Sequence, residues 1–242
     1  MILLIRKRLF LGLGLFCCFF VCLAAVLWLG HPSRVPAFAA LEDPPLTVVI
    51  DPGHGGEDGG AVSPGGVEEG PLNLAVALRV QDLLRFAGQP TVMTRTEDVS
   101  LDEGGDTIRA RKASDIRRRV SMVNETPNAV LLSIHQNSLP SSVVTHGAQV
   151  FWNTEEGAEA LARVMQDSLN GLINAGNEKH PKAIPGTIYL MKHVSAPAVL
   201  VECGFLSNPE ETIMLQDPSY QTKLAASIAA GYLRRLAGEE VS

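Results

Sequence analysis

The chain has 242 residues, and its 20 lysines and arginines against 26 aspartates and glutamates give a formal net charge of −6. That acidic balance disfavours nucleic acid as a partner, since a nucleic-acid-binding domain needs a basic footprint. Of four cysteines, Cys17, Cys18 and Cys22 fall in one N-terminal apolar run, so the rest of the chain holds only Cys203 and must be stabilised by a core rather than by disulfides.

Taken in chain order, residues 9–30 carry no charge, a stretch long enough to cross a bilayer as a helix. Arg6, Lys7 and Arg8 precede it and Arg34 follows, a bias that puts the N-terminus in the cytoplasm and the remainder outside. Residues 1–30 therefore read as a cytoplasmic tip and transmembrane anchor. The rival is a cleaved signal peptide with Ala37-Phe38-Ala39 as its small-residue site, although the apolar run exceeds a usual signal core. The expected location is membrane-anchored with residues 46–238 outside the cytoplasm, or secreted if the segment is cleaved. Residues 31–45, with Pro32, Pro36, Pro44 and Pro45, read as a linker. Without the four basic and two acidic residues of positions 1–45, 16 basic residues remain against 24 acidic, a net −8.

Residues 46–238 read as one domain. Strand-like runs lie at 46–51, 91–95, 128–135, 147–152, 186–191 and 197–202, and helical patterns at 71–87, 113–125, 155–174 and 218–237. In the first helix Leu72, Val76, Leu83 and Leu84 fall near one face, Pro71 lies in the first turn and Gly88 follows the end. In the second, Ser114 is the predicted cap and Ile116, Val120 and Val123 form the apolar stripe. Such alternation implies an α/β fold: one domain with a mostly parallel twisted sheet of about six strands and helices on both faces.

Four side chains then stand out. His54 follows the first strand inside Asp51-Pro52-Gly53-His54-Gly55-Gly56, where glycine and proline force a sharp bend. Glu69 precedes the first helix. His135 ends Ala129-Val130-Leu131-Leu132-Ser133-Ile134-His135, and Glu202 ends Pro197-Ala198-Val199-Leu200-Val201-Glu202. Strand ends of one parallel sheet share an edge, which is where such sheets bind ligands. Two histidines and a glutamate suit a catalytic zinc ion with a fourth position left for water, and Glu202, desolvated by the apolar residues before it, suits proton transfer. The blander alternative is that each is an ordinary surface or core group. His31, His146, His180 and His193 fit that description. Asp51 or Asn137 is a candidate to orient a ligand histidine. Asn137 shares strand parity with His135, so it is equally placed to meet substrate, and Arg95 is a third candidate for such supporting or substrate contacts. Arg109, Arg111, Lys112, Arg117, Arg118 and Arg119 form a basic cluster, either a solvated helix face or a contact for acidic peptides or a partner protein.

Val49-Ile50-Asp51-Pro52-Gly53-His54-Gly55-Gly56 with Asp58-Gly59-Gly60-Ala61, then Thr94-Arg95-Thr96, Ser133-Ile134-His135-Gln136-Asn137 and Val201-Glu202-Cys203-Gly204-Phe205-Leu206-Ser207-Asn208, resemble in order the motifs of zinc-dependent N-acetylmuramoyl-L-alanine amidases of the amidase-3 type. The resemblance covers nearly all of 46–236. It implies a Zn2+ cofactor on His54, Glu69 and His135, Glu202 as the catalytic group, and hydrolysis of the amide between N-acetylmuramic acid and L-alanine in peptidoglycan. One departure stands out: Glu68-Glu69-Gly70-Pro71 replaces the family's Glu-Lys. The family's spacing to Leu74 selects Glu69 as the ligand, with Glu68 as the alternative. The anchor, the single domain and the ending Pro209-Glu210-Glu211…Tyr220-Gln221-Thr222-Lys223-Leu224-Ala225 look most like the germination-specific branch in spore-forming bacteria. That likeness implies stem-peptide removal during formation of muramic δ-lactam in the spore cortex, a polysaccharide deacetylase acting downstream and an activating lipoprotein. The rival readings are an inactive or partner-dependent peptidoglycan-binding protein, and a zinc peptidase cutting within the stem peptide.

Overall fold

The β-branched run Thr47-Val48-Val49-Ile50 favours an extended backbone. In the computed structural model, which describes residues 45–241, it opens strand β1 (Thr47–Pro52). There follow α1 (Glu69–Phe86), β2 (Thr91–Met93), α2 (Ile108–Asn124), β3 (Ala129–Asn137), β4 (Gln149–Trp152) and α3 (Ala158–Leu172). The chain then forms β5 (Lys182–Ala183), α4 (Tyr189–His193), β6 (Ala198–Phe205), α5 (Pro209–Gln216) and α6 (Pro218–Leu236). The apolar run at 9–30, its charged flanks and the linker up to residue 44 lie outside the described residues. Among the described residues no helix is long and apolar enough to cross a membrane.

The strands form one six-stranded sheet in the order β2-β1-β3-β6-β4-β5. Neighbours run parallel except β4, which is antiparallel to β6. The alternation of side chains along a strand sends Val48 and Ile50 to one face and Val49 to the other. The first face packs Val130, Leu132, Ile134, Val199 and Val201 against α1, α3 and α6. The second packs Leu131, Ala198 and Leu200 against Val123 of α2 and Leu190 and Met191 of α4. Helices on both faces explain why β1, β3 and β6 read as unbroken apolar runs. The expected α/β architecture is therefore present.

Three local expectations are corrected. Residues 186–191 do not form a strand: Leu190 and Met191 belong to the short helix α4 and bury into the second face. Pro185 and Gly186 are poor ladder residues, and the remaining edge strand is the two-residue β5. Helix α2 starts at Ile108, where Thr107 accepts a hydrogen bond from the Ala110 amide and caps the end. Ser114 lies inside that helix, and its hydroxyl accepts instead from the Glu103 amide at 3.2 Å. Helix α5 was not anticipated, although its signal is present in the sequence: Asn208 caps it by accepting from the Glu211 amide, and Pro209 occupies its first turn.

Candidate active site

The edge where β1, β3 and β6 end carries the functional side chains. β1 stops because Gly53, after donating to the Ile134 carbonyl at 3.0 Å, leads into His54 at φ +61°. That left-handed conformation is uncommon for a residue with a side chain and turns the chain off the sheet. Two glycines make the room. A Cβ on Gly53 would lie 2.2 Å from Nε2 of His135, and one on Gly60 (φ +73°) would lie 2.6 Å from Oε2 of Glu69. Any larger residue at either position would have to displace one of the converging side chains.

One ligand atom from each of His54, Glu69 and His135 lies within 4.8 Å of the others. His54 Nε2 is 3.3 Å from Glu69 Oε2, and His135 Nδ1 is 2.9 Å from Glu69 Oε1. The two imidazoles meet edge to face, with centroids 5.1 Å apart. Glu69 is buried and its carboxylate is firmly held: the Ala61 amide donates to Oε2 at 2.9 Å, and the Gln136 amide (3.0 Å) and the Asn73 side chain (3.1 Å) donate to Oε1. Burial alone would raise its pKa, but the hydrogen bond and charge of His135 outweigh that and hold it at about 2. The same pair acts in reverse on His135, where burial is overcome by the Glu69 carboxylate and the pKa rises. Glu68 is exposed and its carboxylate lies against Gly59, so Glu69 alone of the two faces the histidines. Two imidazole nitrogens and one carboxylate converging on one point match the donor set of a catalytic zinc site with an open position.

Glu202 stands directly opposite His135 in the β3–β6 register, so both side chains leave the sheet on the same side. Its Oε2 is buried without a hydrogen-bond partner among the described residues. Burial pushes its pKa up to about 7; His135 opposes that shift and the negative charge of Glu69 adds to it. A buried acceptor left unpaired is costly, which marks this carboxylate as poised for chemistry rather than for packing.

Of the three supporting candidates, Arg95 holds the turn beneath His54, whereas Asp51 and Asn137 make contacts other than those expected. Asp51 does not orient a histidine. Its carboxylate is buried under the turn and accepts from Thr94 (2.7 Å), Arg119 (2.7 Å) and Ser133 (2.8 Å). The ring nitrogen Nδ1 of His54 is met instead by Asp58 at 2.9 Å, which Lys112 contacts at 2.6 Å. Asn137 does not orient one either: its side-chain oxygen accepts from the next amide, Ser138, at 2.8 Å. Arg95 is buried and spends its donors on backbone carbonyls of the turn. The basic cluster divides. Arg109, Arg117 and Arg118 are exposed, Arg111 forms an ion pair with Glu57 at 2.7 Å, and Arg119, at 1% exposure, is a core residue. The sequence gives Asp58 and Asn73 no such role and places Arg119 only in the basic cluster. Only Arg119 had a usable signal, since it lies three residues after Ile116 and four before Val123 on the buried stripe.

Asp51 gives this region a pH dependence. Burial raises its pKa, yet the charge of Arg119 and the hydrogen bonds from Thr94 and Arg119 prevail, and the net shift is downward. A depressed folded-state pKa contributes stability that is complete above the unfolded value of about 3.9 and is lost as pH falls through the folded value. The melting temperature should therefore drop as pH is lowered below about 4. Asp51→Asn should be less stable at neutral pH and show a shallower acid loss; an unchanged acid slope would remove Asp51 from that role.

The family model for N-acetylmuramoyl-L-alanine amidase of the amidase-3 type matches residues 48–234. The chain belongs to this family. The amidase is 41% identical over 188 residues to the germination-specific N-acetylmuramoyl-L-alanine amidase of Bacillus subtilis (strain 168), covering 77% of this chain and 78% of that protein. It is 27% identical to AmiC of Neisseria meningitidis over 77% of this chain but only 52% of that longer protein. Among solved structures it resembles the CwlD amidase of Clostridioides difficile, determined in complex with the GerS lipoprotein, with a TM-score of 0.76, 31% identity and coverage of 80% of this chain and 100% of that one. The expected family and enzyme class are thus both met: the amidase acts on peptidoglycan.

Proposed function

We propose that this chain is a zinc amidase in which His54, Glu69 and His135 hold the ion and Glu202 moves the proton, cleaving the bond between the lactyl group of N-acetylmuramic acid and L-alanine. The observation that carries this is the convergence of three donor atoms within 4.8 Å beside a carboxylate whose buried oxygen has no partner among the described residues. A zinc ion bound there supplies a water of lowered pKa and a Lewis-acid contact for the amide carbonyl. Glu202, with its pKa near 7, accepts the proton of the attacking water and returns it to the departing alanine nitrogen. Asp58 accepts from His54 Nδ1 and so leaves Nε2 facing Glu69. Asn73 and the Gln136 amide fix the Glu69 carboxylate.

The wider role we propose is stem-peptide removal during formation of spore-cortex muramic δ-lactam, upstream of a polysaccharide deacetylase and with a lipoprotein partner. It is supported by the likeness to the germination-specific amidase and to an amidase solved with a lipoprotein. Residues 9–30 are proposed as a membrane anchor that places residues 46–238, the catalytic domain, outside the cytoplasm. The test is digestion of peptidoglycan by the purified protein, with and without chelator, read by mass spectrometry. Free lactyl carboxylate that disappears on chelation and returns with zinc is the expected result. A cut within the stem peptide would make the chain a peptidase. No product, with or without a lipoprotein, would make it a binding protein.

A further inference from the structure

The chain leaves the sheet after Pro52, the last residue of β1, and His54 stands in the turn that follows. Buried carbonyls require partners, and here two guanidinium groups supply them, joined at Gly53 by the Asn73 side-chain amide (3.1 Å). Arg95 donates from Nε to the Pro52 carbonyl (3.0 Å) and from Nη2 to those of Gly53 (3.0 Å) and Gly70 (2.9 Å). Arg119 donates from Nη1 to the Pro52 carbonyl (2.9 Å) and from Nη2 to that of His54 itself (2.8 Å). Three consecutive carbonyls are therefore held by arginines that are 3% and 1% exposed. Gly70 directly follows Glu69, so Arg95 joins the His54 turn to the start of α1 with a single side chain. Placing the two cations together has a cost, since burial and the charge of Arg119 both act against Arg95. Asp51 and Asp115 compensate Arg119 at 2.7 and 2.6 Å. A network this costly to bury is not required merely to close a surface turn.

We propose that Arg95 and Arg119 are paired positioning residues of the amidase: by holding the carbonyls of Pro52, Gly53, His54 and Gly70 they keep His54 in its left-handed conformation and fix the spacing between His54 and Glu69. This rests on the zinc site proposed above and adds to it the residues that set its geometry. Neither arginine touches substrate. Both act through the backbone, and a planar five-donor fork reaches several carbonyls at once where a lysine ammonium on the same stem is a compact point charge.

The test uses the whole protein carrying Arg95→Lys or Arg119→Lys. Zinc affinity is measured by competition with a chromogenic chelator, and site geometry by the visible spectrum after Co2+ substitution. Partners that orient metal ligands typically govern affinity by about 10–100-fold, so each variant should bind zinc weaker by that factor and show an altered Co2+ spectrum. Leu169→Ala, on the buried face of α3, should lower the melting temperature and leave both metal readouts alone, which separates positioning from general stability. If Arg119→Lys does not fold, Asp115→Asn loosens the same guanidinium and should weaken zinc by a smaller factor. Tight zinc in the wild type with unchanged affinity and spectrum in the folded arginine variants, or in Asp115→Asn, would overturn this inference alone. A wild type that binds no zinc would overturn it together with the function on which it rests.

Discussion

Glu202→Gln is expected to lower turnover by about 10²–10⁴-fold, the range of a positioned proton carrier, with zinc content unchanged. Glutamine keeps the shape and the place opposite His135 in the register but cannot take a proton from water. The carboxylate is not among the three groups whose ligand atoms converge, so its loss should leave the donor set intact. Turnover on peptidoglycan fragments and zinc by elemental analysis decide the matter together. Zinc lost along with activity would make Glu202 a ligand, and near-normal turnover would place the proton transfer on another residue.

His135→Ala should empty the site of zinc and reduce activity at least as far as Glu202→Gln does, since both the ion's chemistry and the charge balance around Glu202 depend on it. The ring fills the space above Gly53 and pairs with Glu69 at 2.9 Å. Without it, only His54 and Glu69 of the three converging donors remain, and two ligands hold zinc poorly. Circular dichroism should show a retained fold, because the Gln136 amide and Asn73 still hold Glu69. A folded variant with full zinc stoichiometry would remove His135 from the donor set.

The central strands were legible because a strand buried on both faces carries a run of apolar residues, as β1 does at Val48-Val49-Ile50, β3 at Ala129-Val130-Leu131-Leu132 and β6 at Ala198-Val199-Leu200-Val201. β5 and α4 were not, because two strand residues and one helical turn are too short to display a period. His54, His135 and Glu202 were legible because each interrupts or follows such a run, although β3 and β6 continue beyond His135 and Glu202 to Asn137 and Phe205. Choosing Glu69 over Glu68 rested on the resemblance to the family's spacing; in three dimensions the helix start turns one carboxylate inward and the other to solvent.

The sequence by itself determined which residues follow the apolar runs and which chemistry sits there: two imidazoles, an acid at the start of a helix and a second acid after four apolar residues. Only the tertiary structure decided what holds them. Arg119 looks like one of three adjacent arginines in the chain, yet it reaches Asp51, 68 positions away, while Asp58 rather than Asp51 meets His54. The reason is physical. Strand and helix formation follows from the period of neighbouring side chains, whereas a hydrogen bond between distant groups exists only after the sheet has closed and excluded water from both.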